Sequence, residues 1–186
     1  MPFSKAWRAA MYPDFKVQGA YIDYKELKEI LHRLKEDIAN PSTPDELYAV
    51  LVQRKEVVYQ WCVKKVTELT KVSEALVESS EHLDDDDSAV IVGESVEQPD
   101  GTSARSVLPA VNAKIAADAI LFELLRFVEV RNLNNDTIEH IIGRMYRYST
   151  LGPTGKWRAI HSTHDFFAIS IDEIFYLLSV VYERVK

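Results

Sequence analysis

From Thr43 to about Ser80 no residue breaks a helix, and this run constrains the fold more than anything else in the chain. Thr43-Pro44-Asp45-Glu46 opens it: Thr43 suits the cap, Pro44 the first turn, and Glu46 a capping box. Leu47, Leu51, Val58, Cys62, Leu69, Val72 and Leu76 then recur at mixed intervals of three, four and seven. At a rise of 1.5 Å per residue such a helix extends roughly 55 Å, too long to be covered without a second long element beside it. A second helix, about 110–131, supplies one, with Ile115, Ala119, Phe122, Leu125 and Val128 expected inward. The two are expected to pair as an antiparallel hairpin around an acidic, flexible linker at about 79–109.

Shorter helices surround this pair. Leu27, Ile30, Leu31, Leu34 and Ile38 form an apolar stripe of helical period, ended by Asn40-Pro41-Ser42. A helix from Asp136 to about Ser149, with Glu139 as capping partner, carries Ile138, Ile141, Ile142 and Met145 inward. Gly152-Pro153-Thr154-Gly155 reads as a loop. A last helix from Ser170, with Glu173 as capping partner, buries Ile171, Ile174, Phe175, Leu178 and Val181. With only 6 Gly and 7 Pro in 186 residues, the expected class is all-α: one domain over residues 1–186, with two long antiparallel helices, an N-terminal helical hairpin and short C-terminal helices.

The formal net charge of −7 speaks against a general nucleic-acid binder. The charge is uneven, because Asp84 to Asp87 and their acidic neighbours over 78–100 hold most of the excess, leaving a roughly neutral remainder. Cys62 is the only cysteine, so an intrachain disulfide and a thiolate zinc site are excluded, and a reducing compartment is the natural reading. The start, Met1 to Met11, reads as too polar for a signal peptide, and no run reaches the about 20 apolar residues of a membrane span. The sequence stops inside an apparent helix, which suits a module of a longer protein.

Tyr21-Ile22-Asp23-Tyr24-Lys25-Glu26-Leu27-Lys28 is the densest cluster of chemistry. It opens the first amphipathic helix and sets Tyr24 and Lys28 four residues apart, two donors on one flank for an anion. Lys25, His32 and Lys35 flank the same apolar face. Far along the chain, His140, Arg144 and Arg147 share the polar face of the helix at 136–149. If the two helices pack side by side, these flanks make one basic surface for several phosphates. On spacing alone, ordinary solvated faces of amphipathic helices explain them better. Other clusters say less. His161-Ser162-Thr163-His164-Asp165 lacks metal-site spacing, Cys62 reads as core, Asp84–Asp87 lack the calcium-loop pattern, and no glycine loop suits a nucleotide. Trp7, Trp61 and Trp157 read as core or interface anchors.

Six blocks in order make the chain resemble the SPX domain family over nearly its whole length. Met1-Pro2-Phe3-Ser4-Lys5 is similar to that family's Met-Lys-Phe-Gly-Lys opening, and Pro13-Asp14-Phe15 to its Pro-Glu-Trp. Tyr21 to Lys28 fits its Tyr-Ile-Asp-Tyr-Lys-x-Leu-Lys. Glu68-Leu69-Thr70-Lys71-Val72 is similar to its Glu-Leu-x-Lys-Val, and Leu133-Asn134-Asn135-Asp136-Thr137-Ile138 to its Leu-Asn-x-x-Gly-Phe. Its lysine-rich helix stands here as His140 to Arg147.

The resemblance implies a regulatory, non-enzymatic domain that senses inositol polyphosphates and pyrophosphates as signals of phosphate status. It implies inositol hexakisphosphate or an inositol pyrophosphate as ligand, and no cofactor or metal. Tyr24, Lys28 and Arg144 would be the central phosphate binders, with Lys25, Arg147 and His140 around them. Pro2, His140 and Gly143 stand where the family has lysines, which implies weaker binding or a shifted preference. The chain is most similar to SPX parts that head vacuolar-transporter-chaperone polyphosphate polymerases. That implies control of an attached polymerase domain, membrane-complex subunits as partners, and the cytosolic face of a vacuole-like or acidocalcisome membrane. The SPX domain of a phosphate transporter or exporter, or a helical interaction scaffold without a small ligand, are the alternatives.

Overall fold

A computed structural model describes residues 3–37, 43–81, 104–148, 155–161 and 164–186. Seven α-helices hold them: α1 (Phe3–Ala10), α2 (Pro13–Val17), α3 (Tyr24–Glu36), α4 (Thr43–Glu81), α5 (Ala104–Tyr148), α6 (Gly155–Arg158) and α7 (Asp172–Arg184). Two single 3-10 turns lie at Ala159–His161 and Phe166–Ala168, and the described residues contain no strand. The all-α expectation with two long helices holds. The described chain forms two compact units, Met1–Lys65 with Arg126–Ile169, and Val66–Leu125 with Ser170–Lys186. Each unit joins one end of α4 to the opposite end of α5, as antiparallel partners require.

In the first unit the cores of α1, α2 and α3 converge on the long helices. Phe15 packs edge-on against Trp61 at 5.2 Å, and Trp61 lies against Phe127 of α5 at 6.1 Å. Leu27, Ile30, Leu31 and Leu34 of α3 are buried, as their spacing demands, beside Leu47, Leu51, Val58 and Cys62 of α4. Lys55 is buried among them; its Nζ donates to the carbonyl of Ile160 at 2.5 Å and faces the Phe166 ring at 5.5 Å. All three tryptophans are buried.

In the second unit α7 presents Ile174, Leu178 and Val181 to the interior. Arg184 closes the end of α4, donating to the Val77 carbonyl at 2.7 Å, to Ser80 Oγ at 3.0 Å and to Glu81 at 3.2 Å. A guanidinium there opposes the negative end of the helix dipole. Tyr182 donates to Asp118 at 2.6 Å, and that bond pushes the phenol pKa up to about 12.

Several sequence expectations need correction. Residues 110–131 and 136–149 are one helix, α5, and Asp136 is no cap. The Asn132-Leu133-Asn134-Asn135 cluster looks like a break, but Asn134 is fully buried and its side chain is bonded (below), so the backbone runs through. The inward face of α5 is also different. Ile115, Phe122 and Leu125 are 61%, 61% and 52% exposed, Ala119 is exposed and Val128 only half-buried. Ala113, Ala117, Ile120, Leu124, Phe127 and Val130 face inward instead. This stretch carries two apolar stripes, and the one with small alanines admits the closer neighbour. In α4, Val72 is exposed while Ser73 is buried, its Oγ donating to the Leu69 carbonyl at 2.8 Å. Glu46 does not complete a capping box; it takes Arg33 at 2.6 Å. α7 starts at Asp172 rather than Ser170, the Ser170 Oγ accepting from Asp172 N at 3.2 Å, and Phe175 is exposed. Of the expected linker, 79–81 and 104–109 are helical, and 82–103 lie outside the described residues, as do Ile38 to Ser42, Ser149 and 152–154.

Candidate functional site

The Tyr21–Lys28 block is fixed from three sides. Asp23 caps α3, its Oδ1 accepting from Lys25 N at 2.9 Å and Glu26 N at 3.4 Å. Tyr21 Oη accepts from Tyr12 N at 2.9 Å, tying the block to the α1–α2 link. Asn134 of α5 does the most: its Oδ1 accepts from Ile22 N at 2.8 Å, and its Nδ2 donates to Ala20 O at 2.7 Å and Val130 O at 3.0 Å. One buried amide thus joins the two motif blocks that lie 112 residues apart. Between α2 and the block, Gly19 takes φ +76, a left-handed turn that only glycine adopts without strain.

A cavity of about 620 Å³ opens beside this block. Trp7 and Arg8 of α1, Lys16 of α2, and Tyr24, Lys25 and Lys28 of α3 line it. Four of its lining residues are cations and one, Asp23, is a carboxylate already engaged in capping. Tyr24 is buried, wedged between Phe3 at 5.1 Å, Trp7 at 5.9 Å and His140 at 5.7 Å. Lys25 and Lys28 are exposed, and Lys25 also lies 3.9 Å from Glu29.

His140 lies flat on Phe3, ring centroids 4.0 Å apart and planes 6° from parallel. Burial, then the nearby Arg144 and Arg147 charges, hold its pKa below the usual histidine value. At neutral pH it is therefore an uncharged aromatic platform rather than a cation. The fold brings the first and last halves of the expected site together through Tyr24 and His140. Arg144, half-buried, and Arg147, exposed, continue the α5 face beyond His140 and are not among the residues lining the cavity.

Sequence reasoning missed Arg8, Lys16, Trp7, Phe3 and Asn134 as site residues. Asn134 carried a signal, its place in the Leu-Asn block, whereas Arg8 and Lys16 sit on short helices whose spacing alone cannot orient them. The His161–Asp165 cluster is structural where described: His164 pairs with Glu56 at 2.7 Å, and Asp165 caps a 3-10 turn. No group of three metal-ligating side chains occurs among the described residues. Burial pushes the Cys62 thiol up to about 12, so it is no nucleophile.

Two relatives are the vacuolar transporter chaperone complex subunit 4 of Trypanosoma brucei brucei (strain 927/4 GUTat10.1), 57% identical over 187 residues, and that of Trypanosoma cruzi (strain CL Brener), 59% identical over 186. The chain is homologous to the N-terminal part of vacuolar transporter chaperone subunit 4. All of this chain is matched, and it spans about a quarter of those relatives' length, 24% and 23%. That N-terminal placement fits the SPX resemblance carried by Tyr21–Lys28 and Leu133–Arg147. No protein-family model matches the chain. No helix among the described residues is long and apolar enough to cross a membrane.

Proposed function

We propose that the chain is a regulatory domain that binds inositol polyphosphates or pyrophosphates and reports phosphate status to an attached polyphosphate polymerase domain. The observation that carries this reading is the cation-lined cavity beside Tyr24 and Lys28, with α5 joined to it through the Tyr24–His140 contact. Several cations converging on one hollow suit a ligand with several phosphates, because ammonium and guanidinium groups make charge-assisted bonds to phosphate oxygens. A bound polyanion would draw α3 and the α5 face together and so bias how the domain docks on its neighbours. In this reading the chain has no turnover of its own. Its partners are the attached domain and other subunits of a membrane complex, at the cytosolic face of a vacuole-like or acidocalcisome membrane.

Calorimetric titration with inositol hexakisphosphate and a pyrophosphorylated relative tests it. Salt-sensitive binding that is lost in Lys28→Ala with Arg144→Ala supports sensing; no heat at low ionic strength sinks it. The exposed row Val111, Ile115, Phe122 and Leu125 on α5 favours a second reading. In that reading the helices dock a neighbouring domain or subunit without a small ligand.

A further inference from the structure

The cavity has a basic wall that the SPX-like motifs do not include. Arg8 stands on α1 and Lys16 in the last turn of α2. Both line the same hollow as Lys25 and Lys28. We propose that Arg8 and Lys16 bind phosphate groups of the ligand in this cavity, so that α1, α2 and the start of α3 form a subsite of their own for a multiply phosphorylated ring. The proposal rests on the reading that the chain binds phosphorylated inositols, and it adds two residues and a place to that reading.

Three observations support it. First, four like charges from three helices surround one hollow, and the single lining carboxylate, Asp23, spends its oxygen on two backbone amides. Such an arrangement raises the local concentration of anions. Second, Trp7 lines the cavity, is 9% exposed, and its indole N–H has no hydrogen-bond partner. A buried donor left unmatched costs free energy, so this wall is not satisfied within the chain. Third, about 620 Å³ lies within the range of about 300–1,000 Å³ typical of small-molecule sites. Tyr21 also lines the cavity, its hydroxyl accepting from Tyr12 N at 2.9 Å.

The same chemistry could come from a soluble inositol phosphate or from a phosphoinositide headgroup. Two probes separate them: inositol hexakisphosphate, and vesicles containing phosphatidylinositol 4,5-bisphosphate. Binding of each is measured for the wild type, Arg8→Gln, Lys16→Gln, Lys16→Arg, Lys28→Ala and Lys71→Gln. Lys71→Gln removes one exposed cation from the other compact unit. The expected result is a loss of roughly fivefold or more in each of Arg8→Gln and Lys16→Gln, recovered in Lys16→Arg, with Lys71→Gln within about twofold of wild type. The Trp7 indole N–H resonance, assigned by Trp7→Phe, should shift as the ligand saturates. Both altered residues are exposed, so melting temperatures should stay near wild type.

Binding to the free inositol phosphate alone assigns a soluble ligand. Vesicle binding displaced by it assigns a headgroup, and either supports the subsite when Lys16→Gln weakens it. If Lys28→Ala abolishes binding while Arg8→Gln and Lys16→Gln leave it intact, the subsite is overturned and the sensing reading stands. If Lys71→Gln costs as much as Lys16→Gln, a diffuse field is at work and the subsite is again overturned. If the wild type binds neither probe, both fall.

Discussion

Asn134→Ala should cost far more than a typical single substitution, because the Asn134 amide holds the Tyr21–Lys28 block to α5. Asn134 itself is fully buried, and its amide serves Ile22 N, Ala20 O and Val130 O at 2.8, 2.7 and 3.0 Å. Truncation leaves Val130 O with its ordinary helical donor, but orphans the Ile22 N–H and the Ala20 carbonyl, both on fully buried residues. At about 1–3 kcal/mol for each unmatched buried group, offset by about 0.5 kcal/mol of improved helix propensity, the net loss is about 2–5 kcal/mol. That is a large share of a typical domain stability of about 5–15 kcal/mol. Urea unfolding should show the midpoint fall by about 1–2 M at unchanged slope. Hydrogen exchange should show the Ile22 amide losing its protection. Asn134→Asp sharpens the test: Oδ1 can still accept from Ile22 N, but the second carboxylate oxygen faces two carbonyls. Its pKa should rise, so the variant should regain stability as pH falls and the carboxyl protonates. A loss under about 1 kcal/mol for Asn134→Ala, or an Ile22 amide that exchanges as in the wild type, would refute the reasoning.

Further outcomes at four residues follow from the same geometry. His140 has a depressed pKa, so the unfolded chain binds its proton more readily, and this group's contribution to stability should be lost as pH falls below 6.5 towards the folded value. A bound polyanion favours protonated His140, so the affinity ratio of wild type to His140→Gln should rise over the same fall; a flat ratio removes His140 from the site. Gly143 lies inside α5 and a Cβ there meets nothing within 4 Å, so Gly143→Lys should raise stability by about 0.5–1 kcal/mol and tighten inositol hexakisphosphate binding, both read from paired melting and titration curves. Burial lowers the Lys55 pKa from 10.5 to about 8, so its contribution should raise stability between those pH values, a slope that Lys55→Met should remove. Cys62 should resist thiol reagents in the folded protein and react on unfolding, followed by the absorbance of Ellman's reagent.

The long α4, the apolar face of α3, the Ile174, Leu178 and Val181 positions of α7, and the octapeptide were legible because each rests on local patterns. Leu27, Ile30, Leu31 and Leu34 obey one period and lie where it sends them. α5 was less legible, since Ile115 and Phe122 compete with Ala113, Ala117, Ile120 and Leu124 for the interior, and hydrophobicity alone favours the bulkier stripe. Close helix packing reverses that choice. Buried polar residues were the other failure. The roles of Asn134, Ser73 and Lys55 were not legible, because their partners come from Ile22 and Ala20, from Leu69, and from Ile160, and sequence spacing shows only the near one, Leu69. The candidate site divides the same way. Tyr24, Lys25 and Lys28 were found from one block, whereas Arg8 and Lys16 reach the cavity only through the Gly19 turn and the packing of α1.

The central claim is that α3 and α5 serve one ligand. A calorimetric isotherm of inositol hexakisphosphate with the wild type, Lys28→Ala and Arg144→Ala at matched ionic strength measures this directly. It should show one ligand per chain, with each substitution weakening that same event. Two independent binding events, or an Arg144→Ala isotherm that overlays the wild type, would contradict it.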